Sequence, residues 1–260
     1  MKIGFLQFAP IFGEKEKNLA AVAQLLKGVD AELIVLPELF NSGYTFLNKK
    51  ELAELAEPGT GLTYDFILGL ARQSGCAFAY GFAENDSGVF FNSAALVAPD
   101  GLIGIYRKSH LFFEEKNIFM PGDTGLQVYE YTGIKMGLLV CYDWIYPEAM
   151  RTLALKGAQI ILHCANLVMP YCPEAHKTRA LENGVFIVLA NRTGEEKRGG
   201  RAYRFIGGSE IVGTRGDILC RAQTDTCVRI VDIDPELALD KKMNEYNDLF
   251  KDRRDDLYFK

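Results

Sequence analysis

The sequence predicts an α/β fold with mixed sheets. Three observations carry that prediction. Short apolar runs alternate with amphipathic stretches along all 260 residues, the pattern of strands interleaved with helices. Some neighbouring runs are joined by tight-turn sequences, as in antiparallel hairpins, and others by whole helices, as in parallel crossovers. No linker, repeat or low-complexity segment interrupts the alternation, so a single domain is expected over 1–260.

Taken in order, residues 3–8 read as a strand, and 14–29 place Leu19, Val22, Leu26 and Val29 on one helix face. Leu33 to Leu36 form a buried strand closed by Pro37, which cannot donate to a ladder. A helix follows over 61–74, then strands over 76–82, 89–97 and 102–108, the last two joined by the turn Pro99-Asp100-Gly101. Residues 134–140 are another buried strand. Pro147 opens a helix that Gly157 stops, the usual punctuation at the two ends. A strand over 158–163, a helix over 172–183 and a strand over 184–190 continue the pattern. A hairpin over 207–213 and 217–222 turns about Thr214-Arg215-Gly216, and a strand over 227–233 precedes a helix near Pro235. The segment 244–260 reads as an extended tail. Its Tyr246, Leu249, Phe250, Leu257, Tyr258 and Phe259 are many apolar residues for free solvent, so docking on the body or on a second subunit is expected.

Composition excludes several classes. Hydrophobic residues make up 48% of the chain and can bury a sizeable core, while the net charge of −5 disfavours nucleic acid and anionic membrane as partners. No run reaches the roughly 18 apolar residues of a membrane span, and no signal peptide is expected. Six cysteines are scattered without a Cys-x-x-Cys pair, which points to reduced thiols in the cytoplasm rather than a disulfide framework. Gly59-x-Gly61 lacks the third glycine of a dinucleotide fingerprint, and Gly207-Gly208-Ser209-Glu210-Ile211 misses the last glycine of a serine elbow. His163 and Cys164 point to opposite strand faces. Cys172 and His176 share a helix face, but two ligands do not make a zinc site, so no metal and no cofactor are expected.

Chemistry-bearing side chains sit at three strand ends, where α/β folds place their sites. Glu38 follows a buried strand and a proline; its bland reading is a loop glutamate, its functional one a perturbed carboxylate in a cleft. Lys108 leaves a hairpin strand within Tyr106-Arg107-Lys108-Ser109-His110. Alone it is a solvated lysine, while in a cleft it is a fixed cation for developing negative charge. His110 reads as a structural hydrogen-bonder. Cys141 ends the 134–140 strand ahead of the helix at Pro147, where a helix N-terminus favours thiolate. A lone cysteine is more often a small core residue, and Cys164, inside its strand, fits that role. Aromatics around these ends, Tyr44, Phe112, Phe113, Trp144 and Tyr146, read either as core or as walls of a small apolar pocket.

Together and in this order the strand ends resemble the nitrilase superfamily of carbon–nitrogen hydrolases. The blocks are Leu36-Pro37-Glu38, Tyr106-Arg107-Lys108-x-His110-Leu111, Glu115-Lys116-x-x-Phe119-x-Pro121-Gly122-Asp123 and Cys141-Tyr142-Asp143-Trp144-x-x-Pro147-Glu148. Ala165-Asn166-Leu167, Arg179-Ala180-x-Glu182-Asn183 and Asn191-Arg192-x-Gly194 extend the likeness over nearly the whole chain. The resemblance implies an α-β-β-α sandwich, a homodimer or higher homo-oligomer, and a Glu38-Lys108-Cys141 triad supported by Glu115. It implies hydrolysis of a small amide through a cysteine thioester, with Tyr44, Phe113, Tyr142, Trp144, Tyr146 and Asn166 about the substrate. The alternatives are a nitrilase that turns a small nitrile into acid and ammonia, and an inactive binding scaffold on the same fold. The charged stretch Glu195 to Arg201 reads as a solvated turn, with a substrate-closing lid as the other reading.

Overall fold

A computed structural model of the protein describes residues 1–258. In chain order its elements are β1 (Lys2–Gln7), α1 (Lys15–Leu25), β2 (Leu33–Val35), α2 (Lys49–Leu55), α3 (Leu62–Ser74), β3 (Ala77–Asp86), β4 (Val89–Ala98) and β5 (Gly101–Arg107). Then come α4 (Glu115–Ile118), β6 (Val128–Tyr131), β7 (Ile134–Val140), α5 (Pro147–Leu155), β8 (Ile160–Ala165), α6 (Tyr171–Asn183) and β9 (Phe186–Asn191). The last are β10 (Glu195–Arg198), β11 (Arg201–Arg204), β12 (Glu210–Val212), β13 (Ile218–Arg221) and β14 (Cys227–Asp232).

The strands form two six-stranded sheets, ordered β14-β1-β2-β3-β4-β5 and β13-β12-β9-β8-β7-β6. Both are mixed. The pairs β1–β2, β2–β3, β7–β8 and β8–β9 are parallel, because helices carry the chain between them. The pairs β3–β4, β4–β5, β6–β7 and β12–β13 are antiparallel hairpins. The turn at Pro99-Asp100 does join β4 to β5, with Ala98 opposite Gly101.

Alternation within each strand explains the layers. Ile3, Phe5, Leu33, Val35, Ala77 and Ala79 of the first sheet meet Met136, Leu138, Val140, Ile160 and Leu162 of the second in one core. Their neighbours in sequence face outward. Leu6, Ile34, Leu36 and Phe78 pack with α1 and α3 residues such as Leu19, Val22 and Ile67, and Leu139 and Ile161 pack with Met150, Leu153 and Ala180 of α5 and α6. A period of two in the strands thus buries both faces of each sheet and gives an α-β-β-α order of layers.

Part of the tail docks on the body. Phe250 packs against the α5–α6 layer, with the Arg151 guanidinium 5.5 Å and the Lys241 ammonium 4.9 Å from its ring centroid. Tyr246 and Leu257 stay exposed. Phe259 lies outside the described residues.

Four elements were not legible in the sequence: α2, α4, β6 and the β10–β11 hairpin. The hairpin corrects the expectation of a solvated turn. Gly199 and Gly200, both at positive φ, form its two-residue turn. One face points inward, so Glu196 is buried and accepts from the Thr45 hydroxyl at 2.6 Å, the Thr45 N–H at 2.8 Å and the Arg192 guanidinium. The run of charges hid a strand whose alternate residue is an anchor.

Candidate active site

The two sheets bring the ends of β2, β5, β7 and β8 to one place. Directly after β2, Leu36 donates its N–H to Ala79 O and Phe40 donates to Gly81 O, so the chain bearing Glu38 lies along β3. Gly81 makes this approach possible, because a Cβ there would stand 2.5 Å from Glu38 Cα. Glu38 and Lys108 are fully enclosed, with their side chains out of reach of solvent.

Lys108 Nζ donates to Glu38 Oε1 at 2.9 Å and lies 2.8 Å from Glu115 Oε2. Asn92 of β4 also donates to Glu38 Oε1, at 2.6 Å, and Glu38 Oε2 has no hydrogen-bond partner among the described residues. Glu115, at the start of α4, accepts from the Tyr44 hydroxyl at 2.8 Å and the Phe112 N–H at 3.1 Å. One ammonium is therefore held between two carboxylates, each fixed by a further donor.

These neighbours set the protonation equilibria. Burial pushes the Glu38 carboxyl up; Lys108 pulls it back and Glu115 adds to the push, so it ends above the ordinary carboxylate value. For Lys108 burial acts against the charge, but Glu115 and Glu38 outweigh it and hold the ammonium well above its ordinary value.

Cys141 ends β7 and opens a 3-10 turn over Cys141–Ile145. The helix that Pro147 opens, α5, begins after this turn. Burial first, and then the Glu38 carboxylate, push the Cys141 thiol well above its ordinary value, while Lys108 and the Asn166 N–H act in the opposite direction. The Cys141 backbone lies in the left-handed region, at φ 43°. Leu39, next to Glu38, and Phe113, near Glu115, are left-handed too, at φ 49° and 48°. Such conformations cost about 1–3 kcal/mol each in a residue with a side chain, and three of them flank the same four groups.

Asp143 ties the Cys141 turn to the Lys108 strand end. It accepts from the Tyr106 hydroxyl at 2.8 Å and the Val140 N–H at 3.0 Å through Oδ2, and from the His110 N–H at 3.1 Å through Oδ1. His110 Nδ1 lies 2.7 Å from the same Oδ1, and its ring stacks on Tyr146 at 3.8 Å, which is the structural role expected of it. Cys164 is fully buried in the core, also as expected.

Of the pocket residues read from sequence, Tyr44 and Phe113 line a narrow cleft that reaches Glu115. Tyr142 packs beside Phe112, with ring centroids 5.1 Å apart. Asn166 is buried at the end of β8, and neither polar atom of its side chain has a partner among the described residues. Trp144 packs on the inter-sheet core, and Tyr146 lines a separate groove with His110 and Lys116, so neither wall of the Glu115 cleft is theirs.

Sequence reasoning passed over Asn92, Asp143, Glu196 and Tyr203, the last a wall of the cleft. Asn92 and Asp143 carried a signal, being polar residues inside or just after apolar strand runs. The view that Cys172 and His176 make only two possible ligands also needs correction. His163 of β8 joins them, and the three donor atoms lie within 4.8 Å of one another.

The profile of the carbon–nitrogen hydrolase family matches residues 2–242. The chain is 44% identical, over the whole length of both, to a protein named nitrilase from Pyrococcus abyssi. It is 37% identical to an (R)-stereoselective amidase of a Pseudomonas species, covering 98% of this chain and 92% of that one. Among solved structures it resembles an amidase from Nesterenkonia sp. AN1 bearing acrylamide at its active-site cysteine, with TM-score 0.78 and 26% identity over 93% of this chain and 96% of that one. The chain belongs to the carbon–nitrogen hydrolase family and is a hydrolase of the nitrilase and amidase type.

Proposed function

We propose that the enzyme hydrolyses a small amide through a thioester on Cys141, releasing ammonia and a carboxylic acid. The observation that carries this reading is the Lys108 ammonium held at 2.9 Å from Glu38 and 2.8 Å from Glu115, with its charge acting on the Cys141 thiol. In the proposed cycle Glu38 takes the thiol proton as sulfur attacks the amide carbonyl carbon. The raised Glu38 carboxyl favours this transfer and the raised thiol opposes it, while Lys108 and the Asn166 N–H, which act on the thiol in the other direction, favour it. Lys108 and the Tyr142 N–H stabilise the oxyanion. Collapse breaks the C–N bond, Glu38 returns its proton to the leaving ammonia, and a thioester remains. Water then attacks the thioester, Glu38 again takes the proton, and the acid leaves as the thiol re-forms. Glu115 keeps Lys108 in place.

Tyr44, Phe113 and Tyr203 about the cleft suit a small, mostly apolar acyl group. The two unpartnered polar atoms of Asn166 suit the polar end of an amide. The whole chain is taken as one catalytic unit that works as a homodimer or higher homo-oligomer, and the exposed Ile145, Met169 and Tyr171 support such self-association.

A second reading has its own support. The relative from Pyrococcus abyssi is named nitrilase, and a nitrile carbon attacked by the same thiol would reach the same thioester through a thioimidate. A panel of small aliphatic amides and nitriles, with ammonia release measured, separates the two. Turnover of nitriles alone would remove the amidase reading.

A further inference from the structure

Behind the nucleophile lies a buried chain of titratable groups that the reaction above leaves unused. His163 Nε2 is 3.0 Å from the Cys141 carbonyl oxygen, and His163 Nδ1 is 3.1 Å from His176 Nε2. On its far side His176 Nδ1 is 3.1 Å from Glu210 Oε1. Glu210 Oε2 accepts from Arg221 Nε at 2.9 Å, and Arg221 reaches Glu174 at the surface at 2.8 Å. Cys172 Sγ stands 3.5 Å from His176 Nε2. His163, Cys172, His176 and Glu210 are all fully buried.

The Cys141 carbonyl can only accept, so His163 Nε2 carries the hydrogen and donates it. That turns His163 Nδ1 toward His176, whose far side meets Glu210, and Glu210 in turn meets Arg221 twice. The imidazole that meets the Cys141 carbonyl is thus backed by a continuous line of polar contacts that reaches the surface at Glu174.

We propose that His163 is a positioning residue for Cys141: backed by His176 and Glu210, its Nε2–H grips the Cys141 carbonyl and fixes the left-handed turn presenting the thiol. This rests on Cys141 being the nucleophile. The grip has a purpose the fold alone does not meet. A left-handed cysteine at φ 43° persists only when its surroundings over-determine it. His163 supplies a donor from the adjacent parallel strand, and α6 and β12 keep that donor in a single tautomer. His163→Gln can keep a donor near the ε position, whereas His163→Leu leaves the carbonyl unpaired.

The test reads the contact and turnover separately. With only three histidines in the chain, nitrogen-15 shifts of the ring nitrogens of the full-length protein can be assigned from His163→Gln and His176→Gln. The expected spectrum has a hydrogen on His163 Nε2. A bare His163 Nε2 would overturn the grip on the carbonyl. In kinetics, His163→Leu is expected to lower kcat about tenfold or more with KM little changed, the sign of lost alignment rather than lost binding, and His163→Gln is expected to recover most of the loss. Wild-type kcat in His163→Leu would overturn the positioning role. Full activity in Cys141→Ala would also remove that role, while leaving the hydrogen on His163 Nε2 in place, so the two failures are distinguishable.

Discussion

The Lys108 ammonium lies 2.9 Å from Glu38 Oε1, and neither side chain is reached by solvent. A buried pair of this kind is retained at a cost, because each charge has given up its water. Removing the cation alone leaves Glu38 and Glu115 facing each other. Lys108→Met is therefore expected to lose about 3–5 kcal/mol of stability along with its activity. The double variant Lys108→Met/Glu38→Gln is expected to regain part of that stability and none of the activity. Urea unfolding of the two variants beside wild type measures both.

The pH dependence of stability and of activity should run in opposite directions over one window. The native Glu38 carboxyl lies above its ordinary value of 4.5, from burial and the Glu115 charge working against Lys108. In that window the folded state keeps a proton that the unfolded chain has lost. Stability from this group is present below the ordinary value and falls as pH rises through the native one. The proposed base is the carboxylate, so kcat/KM should rise across the same interval. Glu115→Gln removes a charge that raises Glu38, so it is expected to move both limbs to lower pH. Unfolding midpoints and kcat/KM measured on one pH series test this. Because these groups titrate together, the apparent value belongs to the cluster.

Gly81 gives a geometric test of how the carboxylate is delivered. Gly81→Ala would set a methyl 2.5 Å from Glu38 Cα and 3.0 Å from the Leu39 nitrogen. Expected are about 1–3 kcal/mol of lost stability and a fall in kcat of up to about a hundredfold, the scale of a 1 Å misplacement. Gly69→Ala in α3 is the control, since nothing lies within 4 Å of its new methyl. That variant is expected to gain about 0.5–1 kcal/mol from the helix and to keep full activity.

Glu196 tests whether the β10–β11 hairpin supports the cleft. Its carboxylate fixes the backbone of Tyr44 and Thr45 and pairs with the buried Arg192. Glu196→Ala strands that guanidinium and is expected to lose about 3–5 kcal/mol. Glu196→Gln keeps the shape and is expected to raise KM more than it lowers kcat, as Tyr44 and Tyr203 loosen on the cleft. Steady-state kinetics of the glutamine variant checks this.

The layers were legible because the strands obey simple alternation. Ile3 and Phe5 face one way and Leu6 the other, and the hairpin turn at Pro99-Asp100 is spelled out in its residues. The strand ends bearing Glu38, Lys108 and Cys141 were legible for the same reason, since a polar residue directly after an apolar run marks a mouth. Less could be read where local chemistry gives way to long-range contact. Glu196 looks solvated until Arg192 and Thr45 are seen around it, and α4 is too short for periodicity to register. The surroundings of the Cys141 thiol were hidden because they come from Glu38, 103 positions earlier in the numbering, and from enclosure by two sheets. His163 and His176 stand 13 positions apart, on a strand and a helix whose packing no local pattern reveals.

The most direct test of the central claim is the mass of the protein trapped by rapid acid quench during turnover of a small aliphatic amide, followed by peptide mapping. The account predicts an increase equal to the acyl group on the peptide containing Cys141, absent from inactive Cys141→Ala. An acyl adduct on another residue, or undiminished hydrolysis by Cys141→Ala, would contradict it.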